Sequence, residues 1–253
     1  SIADLIREST TLIWCESPGS VTMEVQDVPA IVQAAHASGV AVAIDNTYSA
    51  GVMFDAFAHG VDVSMQALTK YVGGHSDILL GSVSIRDENA YERIGPIYRQ
   101  LGLAVSPDDC SLALRGLQSM VVRLDHMERS ALELARWLAE HPAVEAVFHP
   151  ALPSCPGHQF WKRDFTGSAS VFSILFRDDV SRESVEDCLD ALTIFRLGLS
   201  WGGVNALAVV YPDLVRPGKD YAGRLVRLNV GLEETRDLID DLDNAMRKAG
   251  ITT

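Results

Sequence analysis

The sequence of 253 residues predicts an α/β fold, in which part of a large mixed sheet covered by helices is followed by a smaller α+β domain. Two features of the chain predict this fold. In the first half, short apolar runs without polar alternation are separated by segments of helical spacing, as is typical of strands buried on both faces. In the second half, strand-like runs cluster between flanking helices, as is typical of an α+β arrangement.

The first part of the chain is predicted to contain four strands and one helix. The strands are expected at 11–15, 40–44, 61–65 and 78–85. The helix is expected at 28–38, because its apolar residues recur at helical spacing and Gly39 follows. Right-handed crossovers bring the carboxyl ends of parallel strands to one edge of the sheet, where the ligands of open α/β sheets bind.

A long helix is predicted to join the two halves. Ser106 and Pro107 form a favourable start, with the serine as N-cap and the proline in the first turn. The helical pattern continues to residue 140, with a break or bend expected at Gly116. We therefore place the domain boundary inside this helix. Residues 1–116 are predicted to be the C-terminal part of the larger domain, and residues 117–253 the smaller domain.

The smaller domain is predicted to contain five strands and two helices. The strands are expected at 143–148, 170–176, 195–199, 206–211 and 225–230. One helix is expected at 181–192 with Ser181 as its N-cap, and a closing amphipathic helix is expected at 233–248, followed by Gly250.

The composition limits the partners and the compartment. The chain carries 34 Asp and Glu residues against 21 Lys and Arg residues, which gives a formal net charge of −13. An acidic surface repels nucleic-acid phosphates and anionic lipid, so we expect neither a nucleic-acid nor a membrane partner. The four cysteines lie far apart in the sequence, which is typical of a reducing compartment and predicts a cytoplasmic protein without a metal site.

The start of the chain is unusual. The sequence begins at Ser1 without an initiator methionine, and a strand-like run follows almost at once. Residues 1–7 have neither the basic nor the apolar segment of a signal peptide. We interpret the chain as a polypeptide whose natural N-terminal part is absent. The alternative is a natural start after removal of the methionine.

Three charged residues are candidates for a functional site. Asp45 follows an apolar strand, Lys70 lies just past another strand and before two glycines, and Arg227 lies inside an apolar strand. Each also has an ordinary explanation: an aspartate after a strand is most often a turn former, and a lysine beside glycines is most often in a solvated loop. Arg227 could pair with the acidic closing helix.

Taken together, these three residue types match what pyridoxal phosphate (PLP) requires. A lysine in a desolvated site loses its proton and binds the cofactor as a Schiff base. An aspartate keeps the pyridine nitrogen protonated, so that the ring withdraws electrons from the substrate Cα. An arginine holds the substrate carboxylate with two parallel hydrogen bonds, which a lysine supplies less well.

Several segments of the chain resemble the Cys/Met-metabolism PLP-dependent enzymes, the family of the cystathionine lyases and synthases. Residues 62–76, which contain the run Thr-Lys-Tyr around Lys70, resemble the PLP-attachment segment of that family. Similar segments lie at 16–20, 43–47, 149–153, 157–168, 199–203 and 227–233, so the resemblance covers essentially the whole chain. It implies the type I fold of PLP-transferases and PLP as the cofactor.

The resemblance implies cofactor roles for three residues. Lys70 corresponds to the Schiff-base lysine and to the base that removes the Cα proton. Asp45 corresponds to the partner of the pyridine nitrogen. Thr69 corresponds to a residue that offers its hydroxyl to the cofactor phosphate.

The resemblance also implies substrate roles for three residues. Arg227 is expected to bind the α-carboxylate, Ser200 to hold Lys70 or the substrate, and Trp201 to form a wall of the substrate pocket. Members of the family that act at Cγ typically carry an aliphatic residue where Trp201 stands. The resemblance therefore implies a carbon–sulfur lyase that acts at Cβ of cystathionine and produces homocysteine, pyruvate and ammonia.

Three alternatives stay open at this stage. The same residues would serve a γ-lyase or γ-synthase, or a β-lyase of cysteine S-conjugates in general. A different class of protein is an inert scaffold that has kept the fold. The family also implies a homodimer or homotetramer that takes a small amino-acid substrate, and it implies that this chain alone is inactive, because the family's N-terminal part supplies the phosphate cradle.

Overall fold

The computed structural model describes residues 2–216 and 218–251. The described residues form a four-stranded and a five-stranded sheet connected by one long helix, with a further two-stranded ribbon, after a short 3₁₀ helix at Ile2–Leu5. The predicted α/β fold with a mixed sheet is confirmed, and an α+β part follows that sheet.

The first sheet contains four strands in sequence order. Its strands are β1 (Leu12–Glu16), β2 (Ala41–Asp45), β3 (Val63–Ala67) and β4 (Gly81–Ile85). β1, β2 and β3 are parallel, while β4 is antiparallel to β3, so the sheet is mixed. The carboxyl ends of the three parallel strands lie at one edge, as the sequence predicts.

One helix covers a face of this sheet. Helix α1 (Val28–Ala37) begins where Asp27 Oδ1 accepts a hydrogen bond of 3.2 Å from Ala30 N. Its buried side chains Val28, Val32 and Ala35 pack against the apolar residues of β2. This packing explains why Val42 and Ile44, which share one face of β2, are apolar.

None of the helices predicted from the sequence lies between β4 and the long helix. The structure has a further helix, α2 (Glu88–Gln100), with Asp87 as its N-cap. Asp87 Oδ1 accepts a hydrogen bond of 2.7 Å from Ala90 N. Gly95 and Pro96 lie inside this helix and weaken its sequence signal, because both residue types are unfavourable in helix interiors.

Helix α3 (Pro107–Glu140) is continuous, so the break predicted at Gly116 is wrong, while the alternative of a bend there stays a prediction. Gly116 is buried where the helix passes the backbone of the preceding loop. A Cβ at this position would lie 2.2 Å from Val72 O and 2.5 Å from Gly73 O. The glycine therefore permits close packing and does not end the helix. The N-cap is as predicted, because Ser106 Oγ accepts a hydrogen bond from Asp108 N.

The second part of the chain contains a five-stranded sheet in the order β5-β6-β11-β8-β7 and a separate ribbon of β9 and β10. The strands are β5 (Val144–Phe148), β6 (Val171–Phe176), β7 (Arg196–Leu197), β8 (Leu207–Val210), β9 (Val215–Arg216), β10 (Lys219–Asp220) and β11 (Leu225–Asn229). The helices are α4 (His158–Asp164), α5 (Arg182–Asp190) and α6 (Thr235–Lys248). The short α4 and the β9–β10 ribbon are absent from the sequence prediction.

Apolar packing joins the two sheets through α3. Leu134 and Leu138 on this helix pack with the apolar side chains of the second sheet, α5 and α6. Met120 and Met127 instead belong to a cluster that also contains Tyr71 from the loop after β3. Because this cluster combines residues from both predicted domains, the boundary between residues 116 and 117 stays a prediction. Among the described residues, no helix is both long and apolar enough to cross a membrane.

Candidate active site

A cavity lies at the carboxyl ends of β1 and β2, where the second sheet approaches the first. Glu16 and Asp45, the last residues of these two strands, line it. The other lining residues come from the end of β3, from the loops after β1, β2 and β3, and from the strands and one loop of the second sheet. They are Pro18, Gly19, Ser20, Val21, Met23, Thr47, Tyr48, Ala67, Lys70, Val171, Trp201 and Arg227. The structure therefore brings Asp45, Lys70, Trp201 and Arg227 together, although they are spread over most of the chain.

The amine of Lys70 projects from a tight turn that follows β3. Lys70 N donates to Ala67 O, and Gly74 N donates to Lys70 O at 2.7 Å. Lys70 Nζ donates a hydrogen bond of 2.8 Å to Ser200 Oγ and lies 5.2 Å from the centre of the Trp201 ring. Burial and, secondarily, the positive charge of Arg227 lower the pKa of the Lys70 amine. A larger share of the amine is therefore neutral and able to act as a nucleophile or base.

The carboxylate of Asp45 is oriented by the loop that follows it. Asp45 Oδ1 accepts hydrogen bonds from Thr47 N at 2.9 Å and from Thr47 Oγ1 at 2.5 Å. Thr47 Oγ1 in turn accepts from Ala67 N at 2.9 Å, which ties this loop to the end of β3. Within the described residues Asp45 Oδ2 has no hydrogen-bond partner, so one carboxylate oxygen is available to a ligand.

Arg227 is a buried charge that has no acidic partner among the described residues. It lies in the middle of β11, and only 8% of it is exposed. Its Nη2 donates to Leu199 O at 2.6 Å and to Ser200 O at 3.2 Å, and no carboxylate pairs with it in the described parts of the chain. The alternative that it pairs with the acidic closing helix is thus not what the structure has. A buried guanidinium beside a cavity is suited to an anionic ligand.

Ser200 and Trp201 lie on the loop between β7 and β8. The contact of Ser200 with Lys70 matches the first of the two roles expected for this serine. The Trp201 ring forms an edge contact with the Tyr71 ring, with the ring centres 5.5 Å apart, and it is one wall of the cavity.

Thr69 differs in placement from the other predicted residues. Its Oγ1 donates to Leu80 O at 3.2 Å and accepts from Leu80 N at 3.0 Å, and it does not line the cavity. The Thr69 hydroxyl could donate a hydrogen bond to an anion only if its hydrogen bond to Leu80 O were broken. The phosphate role of Thr69 stays a prediction.

Several lining residues were not singled out from the sequence. Tyr48 is buried, and burial raises the pKa of its phenol well above the ordinary value, so it stays neutral. Val21 and Met23 have φ values of 71° and 56°, which place them in the left-handed region that side chains of their kind rarely adopt. Strain of this kind is characteristic of functional sites. The sequence signal for Val21 and Met23 was their position next to the segment at 16–20. That segment resembles the family, but the resemblance implied no role for any single residue in it.

The stretch with His149, Cys155 and His158 holds no metal-ligating arrangement, and the described residues contain no group of three such side chains that could hold a metal ion. Cys155 Sγ donates to Met23 O, and His158 Nδ1 contacts Pro150 O at 2.9 Å. Burial raises the pKa of the Cys155 thiol to about 12, which keeps it protonated and inert. Of these three side chains, Cys155 contacts the cavity wall, through its hydrogen bond to Met23 O.

Comparison with known proteins decides the family. Residues 1–247 match the model of the Cys/Met metabolism PLP-dependent enzymes. The chain belongs to this family. A member from Escherichia coli (strain K12), "Cystathionine beta-lyase MetC", is 43% identical over 252 residues, which cover 95% of this chain and 64% of that protein. A "Putative cystathionine beta-lyase" from Rhizobium johnstonii is 44% identical, over 98% of this chain and 64% of that protein.

Solved structures of family members share the fold. The cystathionine gamma synthase from Xanthomonas oryzae pv. oryzae, solved in complex with aminoacrylate and cysteine, superposes with a TM-score of 0.92 at 29% identity. The match covers 100% of this chain and 67% of that one. The chain thus spans about 64% of the length of the curated relatives that it matches.

The donor set of the cavity fits PLP, the cofactor of this family. It combines one amine of lowered pKa (Lys70), one carboxylate with a free oxygen (Asp45) and one guanidinium without a carboxylate partner (Arg227). The Lys70 amine donates to the neutral Ser200 hydroxyl and not to the Asp45 carboxylate. The two charged groups therefore do not form an ion pair, and both are available to a ligand.

Proposed function

We propose that the protein is a PLP-dependent carbon–sulfur β-lyase that cleaves cystathionine with water to homocysteine, pyruvate and ammonia. The observation that carries this proposal is the convergence of Lys70, Asp45 and Arg227 on one cavity. Membership of the Cys/Met metabolism family supports the cofactor and the amino-acid substrate. The similarity to proteins named as cystathionine β-lyases, at 43–44% identity, supports the substrate.

In this proposal two residues hold the cofactor. Lys70 Nζ would hold the cofactor covalently, and Asp45 Oδ2, the oxygen without a hydrogen-bond partner among the described residues, would pair with its protonated pyridine nitrogen. When bound, PLP supplies an electron sink for the negative charge that develops at the substrate Cα. Thr47 fixes the direction of the Asp45 carboxylate through two hydrogen bonds, so the charge is in place before substrate binds.

Two residues act on the substrate. Arg227 donates two parallel hydrogen bonds to the α-carboxylate, which fixes the substrate and the direction of its Cα–H bond. Lys70 Nζ would accept the Cα proton of the bound substrate. Its lowered pKa favours the neutral form that this step needs. Ser200 holds the amine at 2.8 Å and limits its movement.

Elimination at Cβ is favoured over elimination at Cγ by the surroundings of the amine. A γ-elimination requires a second proton to be removed from Cβ, so its base must serve two carbon atoms. Lys70 Nζ lies between the Ser200 hydroxyl and the Trp201 ring, which restricts the positions it can reach. The γ-lyases and γ-synthases, and a β-lyase of cysteine S-conjugates, are the alternatives. An inert scaffold is disfavoured, because it would have no need of a buried arginine without a carboxylate partner.

The compartment and the assembly are part of the proposal. We expect a cytoplasmic enzyme that acts as a homodimer or homotetramer on an amino-acid substrate. We also expect this chain alone to be inactive, as inferred from the sequence.

The first test locates the lysine that binds the cofactor. The protein is incubated with PLP, reduced with borohydride and digested, and the peptide that carries the pyridoxyl group is identified by mass. An adduct confined to Lys70 is expected, with Lys162, Lys219 and Lys248 as internal references in the same digest. Labelling spread over these lysines, in this chain and in a polypeptide of the relatives' full length, would overturn the proposal.

A second test separates the reaction classes. A polypeptide of the relatives' full length that contains this chain is assayed with cystathionine, and the keto acid is identified. Pyruvate is expected for the β-lyase, whereas 2-oxobutyrate would assign a γ-lyase. A panel of cysteine S-conjugates then measures how far cystathionine is preferred.

A further inference from the structure

The residue after the cofactor lysine is tied to a buried chain of hydrogen bonds. Tyr71 is 1% exposed, and its hydroxyl lies 2.9 Å from Ser170 Oγ. Ser170 N donates to the same phenol oxygen at 3.0 Å. Burial raises the pKa of Tyr71 to about 12, so the phenol keeps its proton. Tyr71 and Ser170 thus connect the turn that carries Lys70 to the start of β6.

The chain of hydrogen bonds has a fixed direction. Ser170 Oγ donates to Asn229 Oδ1 at 2.9 Å, which uses the only proton of the serine hydroxyl. Tyr71 must then be the donor to Ser170. Ser170 and Asn229 are 0% and 1% exposed, so water does not compete for these bonds. Such fully satisfied buried networks hold their members in one arrangement.

The other end of the chain holds the loop that carries Ser200. Asn229 Oδ1 accepts a second hydrogen bond, from Gly202 N at 2.9 Å, and Asn229 Nδ2 donates to Asn205 O at 3.1 Å. One side chain therefore fixes both ends of the segment 202–205. Gly202 also lies directly against Lys70: a Cβ on this glycine would be 3.1 Å from Lys70 Cβ, and its φ of 79° suits glycine.

Arg227 contacts the same loop, but its role there is different. It donates to Leu199 O and Ser200 O, and under the proposed function it must also donate to the substrate carboxylate. Substrate therefore competes with the loop for this guanidinium. The bonds through Asn229 involve no group that binds substrate, so they persist while Arg227 changes partners.

We propose that Tyr71, Ser170 and Asn229 form a positioning network that sets the distance between the Lys70 amine and the Ser200 hydroxyl. The network bonds both the lysine turn and the serine loop to the buried ends of two paired strands, β6 and β11, and it does not touch the reacting atoms. Its catalytic meaning rests on the proposed function, because only there is Lys70 the base. Its structural content, the control of the environment of the amine, does not.

The test compares two serines that are equally buried. Ser170→Ala breaks the network, whereas Ser173→Ala removes a hydroxyl of β6 that is also 0% exposed but has no hydrogen-bond partner among the described residues. Tyr71→Phe breaks the network from the lysine side. The readout is the pH dependence of acetylation of Lys70 by limiting acetic anhydride, on protein prepared without cofactor. Lys162 and Lys248, both exposed, serve as references in each digest.

Ser170→Ala and Tyr71→Phe are expected to raise the midpoint of Lys70 labelling by about one pH unit, because a loosened loop admits water to the ammonium form. Ser173→Ala is expected to leave the midpoint where it is. The double variant Tyr71→Phe/Ser170→Ala is expected to move it no further than the larger single change, because the two residues act as one unit.

The proposal is overturned if Ser170→Ala and Ser173→Ala give the same Lys70 midpoint while thermal unfolding shows both to be folded. If Ser170→Ala does not fold, Tyr71→Phe decides in the same way against Ser173→Ala. Acetylation does not involve PLP, so this result is independent of whether PLP labels Lys70. A failure of the proposed function and a failure of the positioning network are therefore told apart.

Discussion

Lys70 Nζ donates a hydrogen bond of 2.8 Å to Ser200 Oγ, although 130 positions separate the two residues. The lysine follows a strand of the first sheet, and the serine lies in a loop of the second. The cavity is thus completed only when the two sheets are packed together.

Replacing Ser200 by alanine is expected to lower kcat of the full-length polypeptide about fivefold, with a smaller change in KM. The lost hydrogen bond holds the base, and one such bond contributes about 1 kcal/mol. Steady-state kinetics with cystathionine measure the effect. Ser38→Ala is the matched control, since Ser38 is exposed and lies far from the cavity at the end of α1. Equal kinetics for Ser200→Ala and the parent would contradict the role of this serine.

Replacing Arg227 by lysine is expected to raise KM by roughly 100-fold, because a lysine cannot give two parallel hydrogen bonds to a carboxylate. The change in kcat is expected to be smaller if the arginine serves chiefly to bind. Arg196→Lys, an exposed arginine of β7, is the control. If KM for Arg227→Lys stays within about twofold of the parent value, the substrate carboxylate is bound by another group. A twofold change is well below the roughly tenfold that a loss of 1.4 kcal/mol gives.

Replacing Gly116 by alanine is expected to destabilise the protein by about 3 kcal/mol, because the new Cβ would overlap Val72 O and Gly73 O. Denaturant unfolding measures the change. Gly95→Ala in α2 is the control: nothing lies within 4 Å of its new Cβ, so its effect is expected to stay within about 1 kcal/mol. A Gly116→Ala variant as stable as Gly95→Ala would mean that the loop carrying Lys70 yields easily.

Acid is expected to destabilise the protein through His149. This side chain is 0% exposed, and burial, followed by the nearby charge of Arg136, lowers its pKa from 6.5 to about 4. Its contribution to stability is complete above pH 6.5, where the folded and unfolded forms are both neutral. Between pH 6.5 and 4 the unfolded chain binds a proton that the folded chain does not, so roughly 3 kcal/mol is lost.

Unfolding free energies measured from pH 7 to pH 4 test this expectation. His149→Gln is expected to reduce the slope over this interval. His141→Gln is the comparison: burial also lowers the pKa of His141, but the charge of Asp243 opposes that shift, so its effect on the slope is expected to be smaller. Equal slopes for the parent and His149→Gln would contradict the prediction.

The parts of the site that follow from residue type and strand position were predictable. Asp45 and Lys70 follow strands, and Arg227 lies inside a strand, where an unpaired buried charge is unfavourable unless it binds a ligand. The structure places all three beside one cavity. The break expected at Gly116 was wrong, because helix propensity carries no information about the backbone that packs against the helix. Helix propensity likewise concealed α2, which contains Gly95 and Pro96.

The network behind the lysine could not be read from the sequence. Tyr71 and Ser170 are 99 positions apart, and Ser170 and Asn229 are 59 positions apart, so no local spacing relates them. A serine and an asparagine next to apolar strands also have many ordinary uses as turn and cap residues. The side chains of Ser170 and Asn229 come within hydrogen-bonding distance only because β6 packs beside β11.

The uninterrupted course of α3 has a mechanical consequence. Met120 and Met127 pack in the cluster that includes Tyr71, whereas Leu134 and Leu138 pack against the second sheet. One continuous helix therefore contributes side chains to both cores. A protease cut within it would leave each half with an uncovered apolar stripe. The two halves are therefore expected to melt in a single transition, and neither is expected to persist as a separately folded piece.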